Sequence, residues 1–136
     1  MDVYRNTTGM GSVARFAVLA STGDECIQEV ELWFLLRRKA SPVCYAWFKP
    51  SPKMTIAEGI MTTIYVNNMV KAGCKVSIMM ADLFALSYRT GFYSLDQVRT
   101  IGCSNIEMWG AAGMYHERAE PVWLSNELNR RPADYW

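Results

Sequence analysis

Residues 43–81, VCYAWFKPSPKMTIAEGIMTTIYVNNMVKAGCKVSIMMA, decide the fold of this chain. The run Val43–Phe48 is apolar and rich in residues that favour strands, and Pro50 and Pro52 end it because proline cannot continue a central strand. Residues 74–81 form a second strand-like run, and apolar residues recur at helical spacing between the two runs. The stretch therefore predicts a βαβ unit with parallel strands and a right-handed crossover.

Local signals predict where the helix of this unit begins and ends. Thr55 and Glu58 have the spacing of a capping box, in which the hydroxyl accepts from the N–H of Glu58 and the carboxylate accepts from the N–H of Thr55. Gly73 suits a left-handed C-terminal cap. Free backbone N–H groups gather where the first strand meets the helix, and anions commonly bind at such a place.

Length and composition limit the classes of protein to which the chain can belong. A chain of 136 residues has the length of one domain, and a net charge of +1 gives no global argument for nucleic-acid binding. The four cysteines are far apart and His116 is the one histidine, so we expect neither a disulfide framework nor a metal site. No run approaches the roughly 20 apolar residues of a membrane span, and the N-terminus has no secretory pattern. We therefore expect a cytoplasmic protein without membrane association.

The rest of the sequence predicts further helices and one more strand around this unit. Ser94 is expected to cap a long helix, and Pro121 marks the third strand as an edge strand or as one that starts late. The fold class is therefore α/β, with a short parallel sheet of about three strands flanked by helices. The predicted segments are a flexible lead-in over 1–12, helices over 12–19, 25–39 and 94–112, a short helix or irregular segment over 82–88, a loop over 89–91, a strand over 119–123 and a helix from residue 125.

Residues 44–59, CYAWFKPSPKMTIAEG, resemble the first signature region of eukaryotic and archaeal tyrosyl-tRNA synthetases. In that family the region has Tyr, any residue, Gly-Phe-Glu-Pro-Ser-Gly, a basic residue, an apolar residue and a His-Ile-Gly-His-like motif. Further similar segments lie at 23–32, 72–74, 81–86, 98–102 and 108–114. The resemblance covers about residues 13–136. It implies a partial Rossmann-like nucleotide-binding domain, equivalent to the N-terminal half of a class I aminoacyl-tRNA synthetase catalytic domain.

The resemblance implies a tyrosine site at four positions. Tyr45 stands where the family tyrosine recognises the substrate phenol, and a buried phenol-to-phenol hydrogen bond discriminates well against phenylalanine. A strand tyrosine packed in the core is the alternative for this residue. Trp47 replaces a glycine that lets ligand approach the backbone, and Lys49 replaces a glutamate near the substrate ammonium. Asp82 matches a retained family acid, which either binds ligand or caps the following helix.

The resemblance also implies ATP as a substrate, with a degenerate catalytic motif. Thr55 and Glu58 replace the two motif histidines, and a carboxylate there opposes phosphate, so a simple capping box is the alternative. Lys53 keeps a basic character and contacts a phosphate or is a solvent-exposed loop lysine. Gly59 is retained. Lys53, Thr55 and Gly59 are therefore the implied ATP-binding positions.

The family reaction activates tyrosine with ATP and transfers it to tRNA(Tyr) in translation, by positioning and by stabilising charge on the phosphates. No segment resembles a Lys-Met-Ser-Lys-Ser motif, and the sequence stops before the second half of the nucleotide-binding fold. We interpret the chain as a truncated, degenerate first half that does not activate tyrosine alone. The alternatives are a piece of a split or longer enzyme, a non-catalytic pseudo-subunit that pairs with a genuine synthetase through an open sheet edge, and a gene remnant.

Overall fold

The structure is a computed structural model that describes residues 11–87 and 94–135. Within these ranges three parallel strands and seven helices form, which confirms the predicted α/β class. The elements are α1 (Ser12–Thr22), α2 (Glu29–Arg38), β1 (Val43–Phe48), α3 (Ile56–Lys71), β2 (Lys75–Met80), α4 (Asp82–Ser87), α5 (Leu95–Ala111), β3 (Ala119–Trp123), α6 (Leu124–Arg130) and α7 (Pro132–Tyr135).

Most predicted boundaries are confirmed, and the bounds of β1 and β3 agree with the sequence analysis. The prediction for α2 was wrong at its start, since the helix begins at Glu29 rather than Glu25. The reason is that α2 packs back against α1, so the chain has to reverse direction over residues 23–28. The predicted loop at 89–91 and residues 1–10 of the predicted lead-in lie outside the described residues.

The sheet has the order β1-β2-β3, with all strands parallel. β2 and β3 therefore each pair with the strand that precedes them in the chain, and α3 and α5 are the long helices of the two crossovers. Because right-handed crossovers that advance in one direction put their helices on one side, α3 and α5 share one face of the sheet. Pro121 lies in β3, which pairs only with β2 in the described part of the chain, as the edge prediction requires.

The face under α3 and α5, called here the covered face, carries the core. Val76, Ile78 and Met80 of β2 point into it and are fully buried. Phe48 meets the fully buried Trp109 of α5 edge to face, with ring centroids 4.6 Å apart. This apolar burial is the main favourable term that holds the sheet to its helices.

The opposite face, called here the open face, carries the alternate residues of the same strands. In one row across the sheet, Tyr45 lies beside Ser77 and Ser77 beside Glu120. The next row contains Trp47, Met79 and Val122. No helix of the described chain covers Tyr45 or Trp47, whose exposed fractions are 73% and 58%.

Two glycines end the long helices in the same way. Gly73 and Gly113 have φ values of 90° and 93°, in the left-handed region that favours glycine. After α3, the N–H of Cys74 donates to the carbonyl of Met69, and after α5 the N–H of Met114 donates to that of Trp109. These bonds are those of a Schellman motif, which confirms the predicted glycine cap at Gly73 and gives the same cap at Gly113.

A buried arginine joins the α1–α2 pair to α3. The guanidinium of Arg15 donates five hydrogen bonds of 2.7–3.4 Å to carbonyl oxygens. The acceptors are Leu36, Lys39 and Ala40 at the end of α2 and Ala72 at the end of α3. These bonds satisfy carbonyl groups that have no partner within their own helices.

Gly102 sets the distance between α5 and the sheet. A Cβ atom at this position would lie 2.6 Å from Cη2 of Trp123 and 3.4 Å from Cε of Met80. Both neighbours come from the covered face, so only a residue without a side chain fits the contact.

Candidate functional site

A groove of about 560 Å³ runs across the open face. Its floor is formed by alternate residues of the three strands, and α6 forms one wall with Glu127 and Arg130. These two side chains form a salt bridge of 3.0 Å. The floor residues are Tyr45, Trp47, Ser77, Met79, Glu120 and Val122.

Tyr45 projects from the middle of β1 into this groove. Its exposure of 73% rules out the alternative of a tyrosine packed in the core. The residue lies in the same row as Ser77 on the neighbouring strand and Glu120 on the strand after that. This position offers a phenol hydroxyl to any ligand that occupies the open face.

Trp47 fills part of the groove two residues further along β1. Its ring meets Phe84 of α4 edge to face, with centroids 5.2 Å apart and an interplanar angle of 81°. The contact fixes the indole at the end of the sheet where α4 begins. A glycine at this position would leave that volume to a ligand, so Trp47 narrows the groove at the carboxyl end of β1.

The loop after β1 is held by a side chain that the sequence analysis missed. Nδ2 of Asn105 donates to the carbonyl of Ser51 at 3.0 Å, and its Oδ1 accepts from the N–H of Ser51 at 3.1 Å. Asn105 is buried among apolar residues of α5, and a lone amide on an apolar helix face was the available signal. Lys49 and Lys53 flank this anchored point, and both are exposed.

The start of α3 is closed by its own side chains. Oγ1 of Thr55 accepts from the N–H of Glu58 at 3.1 Å, and Oε2 of Glu58 accepts from the N–H of Thr55 at 2.8 Å, so the predicted capping box is present. Gly59 is buried, and a Cβ there would be in ordinary contact with Met54. An anion at this helix start would have to displace the Glu58 carboxylate.

Asp82 lies beyond the end of β2, fully buried, and does not line the groove. Its Oδ1 accepts from the N–H groups of Leu83 and Ser125, at 2.9 and 3.1 Å, and its Oδ2 accepts from the Ser125 hydroxyl. Nε of Arg99 lies 3.6 Å from Oδ2. The carboxylate therefore caps α4 and fastens the start of α6 to the sheet.

The structure thus divides the predicted site residues among three places. Tyr45 and Trp47 share the groove, while Asp82 sits in a buried polar cluster with Arg99 and Ser125, partners that the sequence analysis did not identify. The others lie between the end of β1 and the first turn of α3: Lys49, Lys53, Thr55, Glu58 and Gly59.

The structure describes residues 11–87 and 94–135, and this part of the chain was searched for metal sites and for membrane-spanning helices. In these ranges, no group of three or more His, Cys, Asp or Glu side chains is arranged to hold a metal ion. No helix in the same ranges has the length and apolar character needed to cross a membrane.

Comparison with known proteins identifies relatives over part of their length. The chain is 44% identical over 122 residues to tyrosine–tRNA ligase 1, cytoplasmic, of Arabidopsis thaliana, a match that covers 90% of this chain and 32% of the plant protein. It is 42% identical over 146 residues to tyrosine–tRNA ligase 2, cytoplasmic, of the same plant, covering 99% of this chain and 19% of that protein. No protein-family model matches the chain.

A solved structure supports the same relationship. Leishmania major tyrosyl-tRNA synthetase, in a cubic crystal form with tyrosinol, superposes with a TM-score of 0.86 at 39% identity, covering 93% of this chain and 19% of that chain. The fold is therefore the Rossmann-like α/β fold of a synthetase catalytic domain. The chain is a homologue of the tyrosyl-tRNA synthetases, related to them over about a third or less of their length.

Proposed function

We propose that this chain is a tyrosyl-tRNA synthetase-like module that recognises the tyrosyl group on its open face but does not activate tyrosine by itself. The observation that carries the proposal is the exposed Tyr45 on the floor of a groove of about 560 Å³. In this proposal the module works in the cytoplasm, where the family reaction uses ATP, tyrosine and tRNA(Tyr).

The groove supplies one end of a tyrosine site. The phenol of Tyr45 pairs with a substrate phenol, and Met79 and Val122 supply an apolar floor for its ring. The Leishmania major relative has a crystal structure with tyrosinol, a ligand of this shape. Trp47 narrows the groove, and Lys49 puts a positive charge where the family resemblance implies a glutamate near the substrate ammonium. Both changes weaken tyrosine binding relative to the family.

The start of α3, where the resemblance implies ATP binding, is even less suited to its ligand than the groove is to tyrosine. The capping box uses the N–H groups of Thr55 and Glu58, and its carboxylate repels a phosphate group at the start of α3. Lys53 is the remaining implied cation in this segment. Catalysis of adenylate formation needs several donors and cations aimed at the developing charge, so we infer that this chain has no activation activity on its own.

Calorimetric titration of the chain with a non-hydrolysable tyrosyl-adenylate analogue tests the binding half of the proposal. We expect weak binding that Tyr45→Phe abolishes, because the phenol pair is lost. Tyr65→Phe, on the outer side of α3, is the matched control and should leave binding unchanged. The paired change Trp47→Gly with Lys49→Glu should tighten binding about tenfold, an effect of about 1.4 kcal/mol. Absence of binding by a cooperatively folded chain would reject this half.

Pyrophosphate exchange tests the catalytic half. We expect no tyrosine-dependent exchange above background by the chain alone, because the α3 start has no imidazole donor and is blocked by Glu58. Exchange that depends on tyrosine and disappears with Tyr45→Phe would overturn this part and establish an active enzyme.

A second candidate function is that of a non-catalytic subunit that pairs with a genuine synthetase. It is favoured by the outer edge of β1, which no strand of the described chain pairs, and by the open face, where Tyr45 and Trp47 stay largely exposed. Mixing the chain with a complete tyrosyl-tRNA synthetase and measuring the mass of the eluting species tests it. A 1:1 complex that Trp47→Lys disrupts supports this candidate, and separate elution of the two proteins rejects it.

A further inference from the structure

We propose that Cys44 and Cys74 form a redox-active thiol pair on the covered face, and that a small disulfide such as oxidised glutathione converts the pair into a reversible bond between β1 and the residue before β2. Both residues are free thiols in the structure. The proposal does not depend on tyrosine recognition, because Cys44 packs on the covered face, whereas Tyr45 projects into the groove. The bond would control how firmly β1 is held to the sheet.

The first observation is that the sheet brings these two cysteines together, although the whole of α3 lies between them in the chain. Cys44 is the register partner of Val76, and Cys74 precedes Val76 by two residues. Side chains two residues apart share one face of a strand. Cys74 and Val76 belong to the same buried core cluster, and Cys44 packs against that cluster. The two thiols are therefore diagonal neighbours on the covered face.

The second observation is that only one of the two thiols can be reached from solvent. Cys44 is half-buried, whereas the exposed fraction of Cys74 is 0%. A soluble disulfide therefore meets Cys44 first, and Cys74 needs to reach only the sulfur of Cys44. This order of access is that of an attacking cysteine beside a resolving cysteine.

The third observation is the electrostatic difference between the two thiols. The hydrogen bond from Cys74 lowers the pKa of Cys44, while burial opposes this change. The same bond and burial raise the pKa of Cys74, and the guanidinium groups of Arg15 and Arg118 act in the opposite direction. Because the thiolate is the form that attacks a disulfide, Cys44 is the thiol that reacts first.

The reaction consists of two thiol–disulfide exchanges. The Cys44 thiolate attacks one sulfur of oxidised glutathione, the S–S bond of glutathione breaks, and the first glutathione leaves and takes up the proton that Cys44 lost. The sulfur of Cys74 then attacks the sulfur of Cys44, and the second glutathione leaves with the proton of Cys74. The two protein thiols are thereby oxidised to one disulfide, and oxidised glutathione is reduced to two thiols.

The fold should favour this bond over the unfolded chain. In the unfolded chain the bond has to close a loop that contains all of α3, whereas the parallel pairing of β1 and β2 has already closed that loop in the folded chain. The sulfur atoms complete their approach by side-chain rotation and a small shift of β1, whose outer edge no strand of the described chain pairs. We therefore expect the equilibrium constant for the disulfide to be at least about tenfold larger in the folded chain.

Glutathione redox buffers test the proposal on a full chain that carries Cys26→Ser and Cys103→Ser, so that only the proposed pair can react. The chain is equilibrated at several ratios of reduced to oxidised glutathione, with and without denaturing urea, and peptide mass spectrometry measures the fraction with Cys44 joined to Cys74. The folded chain should form this bond at least about tenfold more favourably than the unfolded chain, and excess reduced glutathione should reverse it. A ratio of one or less would overturn the proposal.

Single substitutions in the same background test the order of attack. Cys74→Ser should stop the reaction with one glutathione on Cys44, and Cys44→Ser should leave Cys74 unmodified while the chain is folded. Circular dichroism and a cooperative thermal transition verify the fold of each variant, and Cys74→Ala serves if Cys74→Ser does not fold. A persistent mixed disulfide on Cys44 in the presence of Cys74, or modification of Cys74 before Cys44, would reject the pair.

Discussion

The two faces of the sheet are made by alternate residues of the same three strands, yet they end in opposite environments. The covered face buries Val76, Ile78 and Met80 completely, while the open face leaves Tyr45 and Trp47 largely exposed. The topology explains the difference, because the two crossover helices, α3 and α5, lie on the same side of the sheet. The comparison teaches that the residues that stabilise the fold and those of the candidate site are separated in this chain: one face holds the fold, and the other carries the candidate site.

The largest expected effect separates the two faces with one substitution. Trp109→Ala on the covered face should lower the free energy of unfolding by about 3–5 kcal/mol, because a fully buried indole is removed and a cavity remains. Trp47→Ala on the open face should cost at most about 1.5 kcal/mol, since its edge-to-face contact with Phe84 is its main described packing. Urea unfolding followed by circular dichroism measures both. Equal losses would mean that the open face also stabilises the fold.

Two arginines give a second matched pair. Arg15→Met should destabilise the chain by about 2–3 kcal/mol, because several buried carbonyl oxygens at the ends of α2 and α3 lose their donor. Arg130→Met, at the wall of the open-face groove, should cost less than about 1 kcal/mol, since its salt bridge to Glu127 is solvent-exposed. Thermal denaturation of both variants under identical conditions checks the contrast. A loss for Arg130→Met as large as that for Arg15→Met would contradict it.

Two glycines of α5 test how closely the covered face is packed. Gly102→Ala should destabilise by about 1–3 kcal/mol, because the new methyl group would overlap the ring of Trp123. Gly110→Ala should be neutral or stabilise by up to about 1 kcal/mol, since alanine favours the helix and the nearest neighbour is the exposed side chain of His116. Guanidinium unfolding midpoints of the two variants measure the difference. A stable Gly102→Ala variant would show that α5 can move away from the sheet.

The rates at which single cysteines are modified give the most local test, with the smallest expected effect on the fold. The Cys74 thiol, buried on the covered face, donates to the sulfur of Cys44; this hydrogen bond and burial raise the pKa of Cys74, while the same bond lowers the pKa of Cys44. Cys103 on α5 is exposed. At pH 8 iodoacetamide should therefore modify Cys74 roughly 100-fold more slowly than Cys103. Peptide mass spectrometry over time measures the rates. Equal rates would mean that the covered face opens readily.

Much of the fold could be predicted because its signals are local. The ends of β1, the Thr55 capping box, the Ser94 cap and the glycines after α3 and α5 are each encoded within a few residues. The burial of side chains was harder to predict. The apolar residues at helical spacing between β1 and β2 correctly indicate a helix, but Ile60 and Ile64 among them are exposed. The buried side of α3 is formed by Gly59, Thr63, Val66 and Val70.

The candidate site was less predictable because its contacts are distant in the chain. Tyr45 was placed at a site by resemblance, but β1 is apolar on both faces, so alternation in its sequence does not tell which face is covered. Asp82 finds its main partner in Ser125, 43 residues later, and a single sequence contains no signal that joins them. The resemblance therefore located the segment, and only packing assigned each side chain to the groove, the loop or the buried cluster.

The agreement between strand order and chain order has a consequence for synthesis. Among the described strands, β2 and β3 each find a neighbour one crossover earlier, so neither has to wait for a later part of the chain before it pairs. The sheet can grow strand by strand as the chain leaves the ribosome, with β1 and β2 able to pair before β3 exists. Throughout that growth the outer edge of β1, which no strand in residues 11–87 and 94–135 pairs, is the oldest edge of the sheet. It is therefore the edge that a nascent chain presents longest to any other polypeptide.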